Sequence, residues 1–377
     1  MIRRIVMIDD GIPQYLAFKF RNFKIHHLVV EKQDIYYRKY GKIISKITHG
    51  GICFLELANR LKKCNVELFS INVIPSSERR GDITNLICAL QWCINNDVSL
   101  INMSIGTTNY FDFTLLEPLF IKLYQQGKIV IAAHSNNYVF SYPANSPYAI
   151  GVRFDNSDSL KKNSYYLAHN KITNEEVIYS KDKINYIKQF VNIEDECNSF
   201  AVPILSAQIY SMLLHDNINR EKILSYLRRD SVDYLEMWNL RKRYIVDRNQ
   251  DIPLVMINLK NVDKIVAKLL DLFALEGYRI FVLESSITKK DIRYIDLASA
   301  FKECQESFYN AISFIQNYSN ADLLLVKSDK EYDDELYSEK LVDLTVTDKN
   351  SNCTNIILVD EETEAETILK KILQILL

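Results

Sequence analysis

The turn Cys197-Asn198-Ser199-Phe200-Ala201-Val202-Pro203 runs straight into an apolar stretch, ILSAQIYSMLL, and the pattern predicts a helix beginning near Pro203. The Ser199 hydroxyl then sits just ahead of a helix N-terminus, where backbone N–H groups lack intrahelical partners and the potential is positive. A serine there can attack a carbonyl; it can equally be an ordinary N-cap. Three upstream residues bear on the choice. Asp9 ends the apolar run RRIVMI and enters an Asp-Gly turn, so a strand delivers a carboxylate at its tip. The same dipeptide also makes plain turns. His49 precedes Gly50 and Gly51 and then an apolar helix, and the glycines let another segment come close to the imidazole. A lone histidine in that setting is often structural. Asn136 follows the buried run KIVIAAHS. Taken together, in the order Asp, His, Asn, Ser, these are the groups that serine acyl transfer requires.

The elements that must position them are short parallel strands and amphipathic helices. Residues 3–8 predict a first strand and 52–60 a helix with Ile52, Leu55 and Ala58 on one face. VELFSINVI is a strand, PSSERRGD an exposed loop, ITNLICALQWCINND a helix and SLINMSIG a further strand. Residues 128–137 form a run buried on both faces, as strands of a parallel sheet are. YPANSPYAIGV leads into another strand; a tyrosine-rich stretch to residue 196 reads as irregular strands and loops, and a helix near Arg220–Arg229 closes the domain.

Composition narrows the classes. With 377 residues the chain is long enough for two domains and a large core. A net charge of −2 gives no electrostatic basis for nucleic-acid binding. No apolar run reaches the roughly 18 residues of a membrane span, and MIRRIVMIDDG reads as a strand rather than a signal peptide. Seven cysteines without a CxxC pair fit a reducing compartment, so a cytoplasmic location is expected. Eight of the nine glycines lie at or before Gly151, which assigns the tight turns, and the site, to the first part.

Six segments in this order resemble the subtilisin-like serine proteases: IVMIDDGI, HGGICFLEL, ICALQWCINNDVSLINMSIG, IVIAAHSNN, YPANSPYAIGV and CNSFAVP. The resemblance spans residues 3 to about 215 and implies a parallel sheet flanked by helices. It implies Ser199 as nucleophile, His49 as general base, Asp9 orienting the imidazole, and Asn136 donating to the oxyanion. Substrate would pair as a strand with Ser104, Ile105 and Gly106. Ala132, Ala133 and Ser135 would wall the specificity pocket and Ser141 would lie near its base, while His134 either narrows that wall or points away. Asp10 is expected on the opposite side of the strand. The chain departs from the family pattern at Cys197-Asn198, where Gly-Thr is usual, at Gly51 for threonine, Ser135 for glycine and Val202 for serine. The register of Cys197 with the family glycine argues against a catalytic role for it. Neither a metal nor a cofactor is expected.

An Asp9 so near the start implies a protease without a signal or propeptide, which is safe in a cell only with narrow specificity. The expectation is a serine endopeptidase that processes one peptide, as leader-removing subtilases of peptide-maturation systems do; the alternative is an impaired subtilase that binds peptides as a scaffold or chaperone. Residues 1–244 are assigned to the peptidase domain and 245–377 to an accessory, Rossmann-like α/β domain. In the latter, DIPLVMIN, YRIFVLES, ADLLLVKS and TNIILVD are strands. VDKIVAKLLDLFALEG is a helix ended by Gly277, residues 290–317 are helical, and ETEAETILKKILQILL is a terminal helix. Asn258 to Lys264 has P-loop spacing but neither glycine nor the closing hydroxyl, so the domain serves for contacts with substrate, a maturation partner or a second copy rather than with nucleotide. The basic residues 228–229 and 241–243 are a solvated face.

Overall fold

The computed structural model describes residues 3–38, 47–74, 81–155, 157–170, 174–183, 187, 197–215, 218–232, 252–285, 291–304, 306–328, 332–349, 355–360 and 362–376. The chain divides into two compact units, Met1–Asn137 with Ser141–His169 and Thr173–Leu235, and Tyr138–Phe140 with Asn170–Ile172 and Glu236–Leu377. The expected boundary at 244/245, the basic residues 241–243 and most of the PSSERRGD loop lie outside the described residues.

The first unit is built on a nine-stranded sheet. Its strands are β1 (Arg4–Asp9), β2 (Phe23–Glu31), β3 (Asp34–Tyr37), β4 (Val66–Asn72), β5 (Leu100–Met103), β6 (Ile129–Ala133), β7 (Ile150–Phe154), β8 (Tyr165–Asn170) and β9 (Asn174–Tyr179), in the order β3-β2-β4-β1-β5-β6-β7-β9-β8. β1 pairs in parallel with β4 and β5; β2 with β4, β5 with β6, β6 with β7 and β7 with β9 are also parallel. β5, β6 and β7 are buried along their whole length, which explains their unbroken apolar sequences.

Among the described residues six helices belong to this unit: α1 (Gln14–Lys19), α2 (His49–Arg60), α3 (Ile83–Asn95), α4 (Tyr110–Gln125), α5 (Val202–His215) and α6 (Arg220–Asp230). Strand alternation decides where the chemistry falls. Ile5 and Met7 join the apolar core that contains α2 and α5 residues such as Phe54, Leu57, Leu205 and Ile209. Asp9, two positions further on, emerges on that same face at the strand tip. Because the chain passes from β4 on one side of β1 to β5 on the other, Asp9 also stands where the winding reverses, the usual position of a site in such sheets.

Two features were not read from the sequence, and one expectation is corrected. The antiparallel hairpin β2–β3 turns through Lys32 (φ 53) and Gln33 (φ 67), both left-handed without the glycine or asparagine that announces such a turn. α4 carries Pro118 in its interior, which conceals a helical period. Residues 290–317 are not one helical stretch: Tyr294–Asp296 adds a strand beside residues 282–284, and the Asp296 carboxylate accepts from Ser299 N–H to start a new helix.

The second unit is a six-stranded, all-parallel sheet of β10 (Leu254–Asn258), β11 (Ile280–Glu284), β12 (Tyr294–Asp296), β13 (Leu323–Lys327), β14 (Leu344–Thr347) and β15 (Ile356–Leu358), ordered β12-β11-β13-β10-β14-β15. Helices α7 (Val262–Leu275), α8 (Leu297–Glu303), α9 (Phe308–Ser319), α10 (Asp333–Ser338) and α11 (Ala365–Leu376) connect and follow the strands. Val255, Val266, Phe273, Leu325 and Ile368 are among the residues of its core. Gly277 ends α7 with φ +89, and the Tyr278 N–H donates back to Phe273 O, as a glycine stop requires. No helix among the described residues is long and apolar enough to cross a membrane.

Candidate active site

His49 is the first residue of α2, and four hydrogen bonds fix that end of the helix. Thr48 is the N-cap: its hydroxyl oxygen accepts from Gly51 N–H at 2.9 Å while donating to Gly11 O at 2.6 Å. Asp10 accepts from the His49 and Gly50 amides at 3.0 and 2.6 Å. Asp10 therefore does not face away, as alternation suggested: the strand stops at Asp9 and Gly11 (φ +89) turns the chain, so the second carboxylate meets the helix N-terminus. Burial, then the neighbouring Asp9 charge, push the Asp10 carboxyl above its ordinary range. A Cβ on Gly50 would stand 2.9 Å from Gly11 O and 3.0 Å from Asp10 Oδ1, so the close approach expected of the glycine pair is present.

The imidazole is held on two sides. Nδ1 lies 2.9 and 3.0 Å from the two oxygens of the buried Asp9 carboxylate. The ring stacks on Phe200 at 5.5 Å between centroids and 29° between planes. Nε2 faces Cys197 Sγ at 3.9 Å. Ser199, which the sequence aligned with this nitrogen, is engaged elsewhere. Its hydroxyl donates to Ser104 O at 2.9 Å, and its carbonyl accepts from Ser104 Oγ at 3.4 Å and Cys53 Sγ at 3.8 Å. The two residues differ in backbone conformation: Ser199 lies within the 3-10 turn of residues 198–200 ahead of α5, and Cys197 is the extended residue that caps it.

Burial opposes charge on His49, but the hydrogen bonds and charges of Asp9 and Cys197 hold it up to about 11. Burial pushes the Cys197 thiol up as well; the imidazole and Ser199 outweigh that and leave it below its ordinary value. Asn136 joins the same group. Its Oδ1 accepts from the Asn198 N–H at 2.8 Å, which aims Nδ2 at Cys197 Sγ, 3.7 Å away. The buried Asn198 side chain clamps the surroundings, accepting from Phe154 N–H at 3.0 Å and donating to His134 O and Ser135 O at 3.3 and 3.2 Å. Sequence reading missed Asn198, and its only signal was a polar amide where the family has threonine.

The expected substrate-binding residues surround these groups. Ser104, Ile105 and Gly106 follow β5 and lead into an antiparallel bridge between Thr107 and Tyr142. A Cβ on Gly106 would stand 2.8 Å from Tyr142 O. Ala132 and Ala133 end β6; the Ser135 N–H donates to Ser141 Oγ at 3.1 Å, tying the expected wall and base together. His134 is buried against Gly151, with Nε2 3.5 Å from Glu176 Oε1, and so does not narrow the wall.

Asp9, His49 and Cys53 carry ligand atoms within 4.8 Å of one another. Complete burial pushes the Cys53 thiol well up, which disfavours the thiolate a metal needs, and Nδ1 already occupies both Asp9 oxygens. The cluster is organised as a hydrogen-bonded carboxylate–imidazole pair.

No family model matches the sequence. A stretch of 112 residues is 33% identical to the minor extracellular protease Epr of Bacillus subtilis (strain 168), covering 30% of this chain and 17% of that relative. The chain thus spans under a fifth of that protein's length. Among solved structures, a lanthipeptide protease overlaps 62% of this chain and 81% of its own at 13% identity and a TM-score of 0.42. The nisin leader peptidase NisP from Lactococcus lactis overlaps 54% and 75% at 14% identity and a TM-score of 0.36. Overlaps this slight carry no conclusion about the reaction.

Proposed function

We propose that the first unit is a peptidase that cleaves a peptide substrate through an acyl-enzyme. The observation that carries this is the His49 imidazole, bound through Nδ1 to both Asp9 oxygens and presenting Nε2 to the turn ahead of α5. In that arrangement Asp9 holds the ring in one tautomer and stabilises the imidazolium, and Nε2 exchanges a proton with a nucleophile from residues 197–199. Asn136 Nδ2 is the side-chain donor for the oxyanion. The serine type expected from the sequence uses Ser199. The local similarity to an extracellular protease supports the peptidase class. Departures at Cys197, Asn198 and Ser135, all beside the reacting groups, favour a narrow substrate, such as a precursor from which a leader is removed, over general digestion.

His49→Ala tests the reading. Cleavage of a proteome-derived peptide mixture, followed by mass spectrometry, is expected to fall by about 10⁴-fold or more with the circular dichroism spectrum unchanged. Cleavage at the wild-type rate would end it. A second reading, peptide binding without turnover, draws on the Ser199 hydroxyl being bonded to Ser104 O instead of the imidazole. It predicts that wild type and His49→Ala bind peptides alike and cleave none.

A further inference from the structure

We propose that Cys197, and not Ser199, supplies the nucleophile of this peptidase, an inference that rests on the acyl-enzyme reading above. The sulfur is the atom that faces His49 Nε2, at 3.9 Å, and the atom at which Asn136 Nδ2 points, at 3.7 Å. Both contacts are braced from behind: Nδ1 by Asp9, and the Asn136 amide by the Asn198 N–H on Oδ1 at 2.8 Å. Cys197 also stands immediately before the 3-10 turn of residues 198–200 that leads into α5.

Ser199 shares the place ahead of α5 but its hydroxyl is bonded elsewhere. Its hydroxyl proton is committed to Ser104 O at 2.9 Å, and its carbonyl is gripped by Ser104 and Cys53. Its side chain would have to abandon the Ser104 carbonyl to turn toward the imidazole. Ser199 is buried whereas Cys197 is partly exposed. The directions of the two titrations agree with this geometry. A thiol held below its ordinary value beside an imidazole held above its own is biased toward passing its proton to the ring.

The reaction then balances without a co-reactant other than water. The Cys197 thiolate attacks the scissile carbonyl carbon; a C–S bond forms and the carbonyl electron pair moves onto oxygen, within reach of Asn136 Nδ2. Collapse breaks the C–N bond, and the leaving amine takes the proton from His49 Nε2. Water attacks the thioester, gives a proton back to Nε2, and the C–S bond breaks to release the carboxylic acid and the thiolate.

The first test uses the unmodified full chain. Iodoacetamide at about pH 6, followed by peptide mapping, is expected to alkylate Cys197 about tenfold or more faster than the partly exposed Cys64 and Cys88, and His49→Ala is expected to erase that advantage. Equal rates at the three thiols overturn the proposal. In the peptide-mixture assay, Cys197→Ala is expected to lose about 10⁴-fold, against a loss below about thirtyfold for Ser199→Ala. Cleavage that survives Cys197→Ala but not Ser199→Ala, with Ser199 labelled by a fluorophosphonate, overturns the assignment to sulfur and leaves the peptidase reading standing. Absence of cleavage by wild type together with an unreactive Cys197 removes both.

Discussion

At the scale of single residues, the pair His49–Cys197 has a pH signature with a definite sign. A ring raised from 6.5 to about 11 stabilises the fold fully below 6.5, and that stabilisation drains away as pH rises toward about 11. A thiol held below its ordinary 9.0 acts oppositely: its stabilisation grows with pH up to 9.0. Between 9.0 and whichever is higher of 6.5 and the depressed thiol value the two trends offset, because folding transfers a proton from sulfur to ring with little net uptake. Above 9.0 only the imidazolium trend remains. Melting temperatures of wild type minus the double variant His49→Ala/Cys197→Ala should therefore stay nearly level between pH 9.0 and whichever is higher of 6.5 and the depressed thiol value, and fall between 9.0 and about 11; a difference that rises across the upper interval would contradict the pairing. Asp9 and His49 were legible in the sequence because a strand tip and a glycine pair are local signals. The partner of Nε2 was not, since a shift of two residues, from the 3-10 turn to its extended cap, depends on backbone conformation.

At the scale of elements, the end of α2 is the sensitive joint. Gly50→Ala places a methyl group 2.9 Å from a backbone oxygen of the β1 turn, which cannot swing aside as a side chain could. The expected outcome is a destabilisation of about 1–3 kcal/mol in denaturant melts. Peptide cleavage should fall by about 100-fold, because a small misplacement of the base is costly. Ile52→Val, deeper in the same helix, should cost only about 0.5–1.5 kcal/mol and leave cleavage nearly intact. Elements whose ends carry conventional caps, such as α2 behind Thr48 and α7 before Gly277, were read from sequence. The hairpin β2–β3 was hidden by a Lys32-Gln33 turn, and β14 by its two threonines, Thr345 and Thr347, which are buried between β10 and β15.

At the scale of the whole molecule, two α/β units invite the idea that the second binds a nucleotide at its β10–α7 junction. The structure gives a reason against it beyond the missing glycines. The Lys260 N–H donates to the Asp348 carboxylate at 3.3 Å, so an acidic group stands where the turn would have to receive phosphate. Asp360, Glu362 and Glu364 line the same cleft together with Lys260, Lys264 and Lys268, so its cations already face carboxylates. Calorimetric titration with ATP and Mg²⁺ should show no saturable heat up to millimolar concentrations, and a clear isotherm would refute this. The α/β class and both sheets followed from alternating strand and helix patterns; the order of the strands did not, because register and crossover are properties of packed faces that no single segment displays.

Phe200 braces one face of the imidazole, and it belongs to the same short turn as Cys197 and Ser199. The attacking group and the ring that packs on the base are thus carried at the head of α5, whereas the base itself begins α2, whose end is bonded to the β1 turn beside Asp9. A ligand or substitution that slides α5 along the sheet would draw Phe200 and the turn away from the imidazole and leave the carboxylate–imidazole pair intact. The link that stretches first is the one to the sulfur, so an inactivating displacement would announce itself as a ring that has lost its sulfur while keeping its carboxylate.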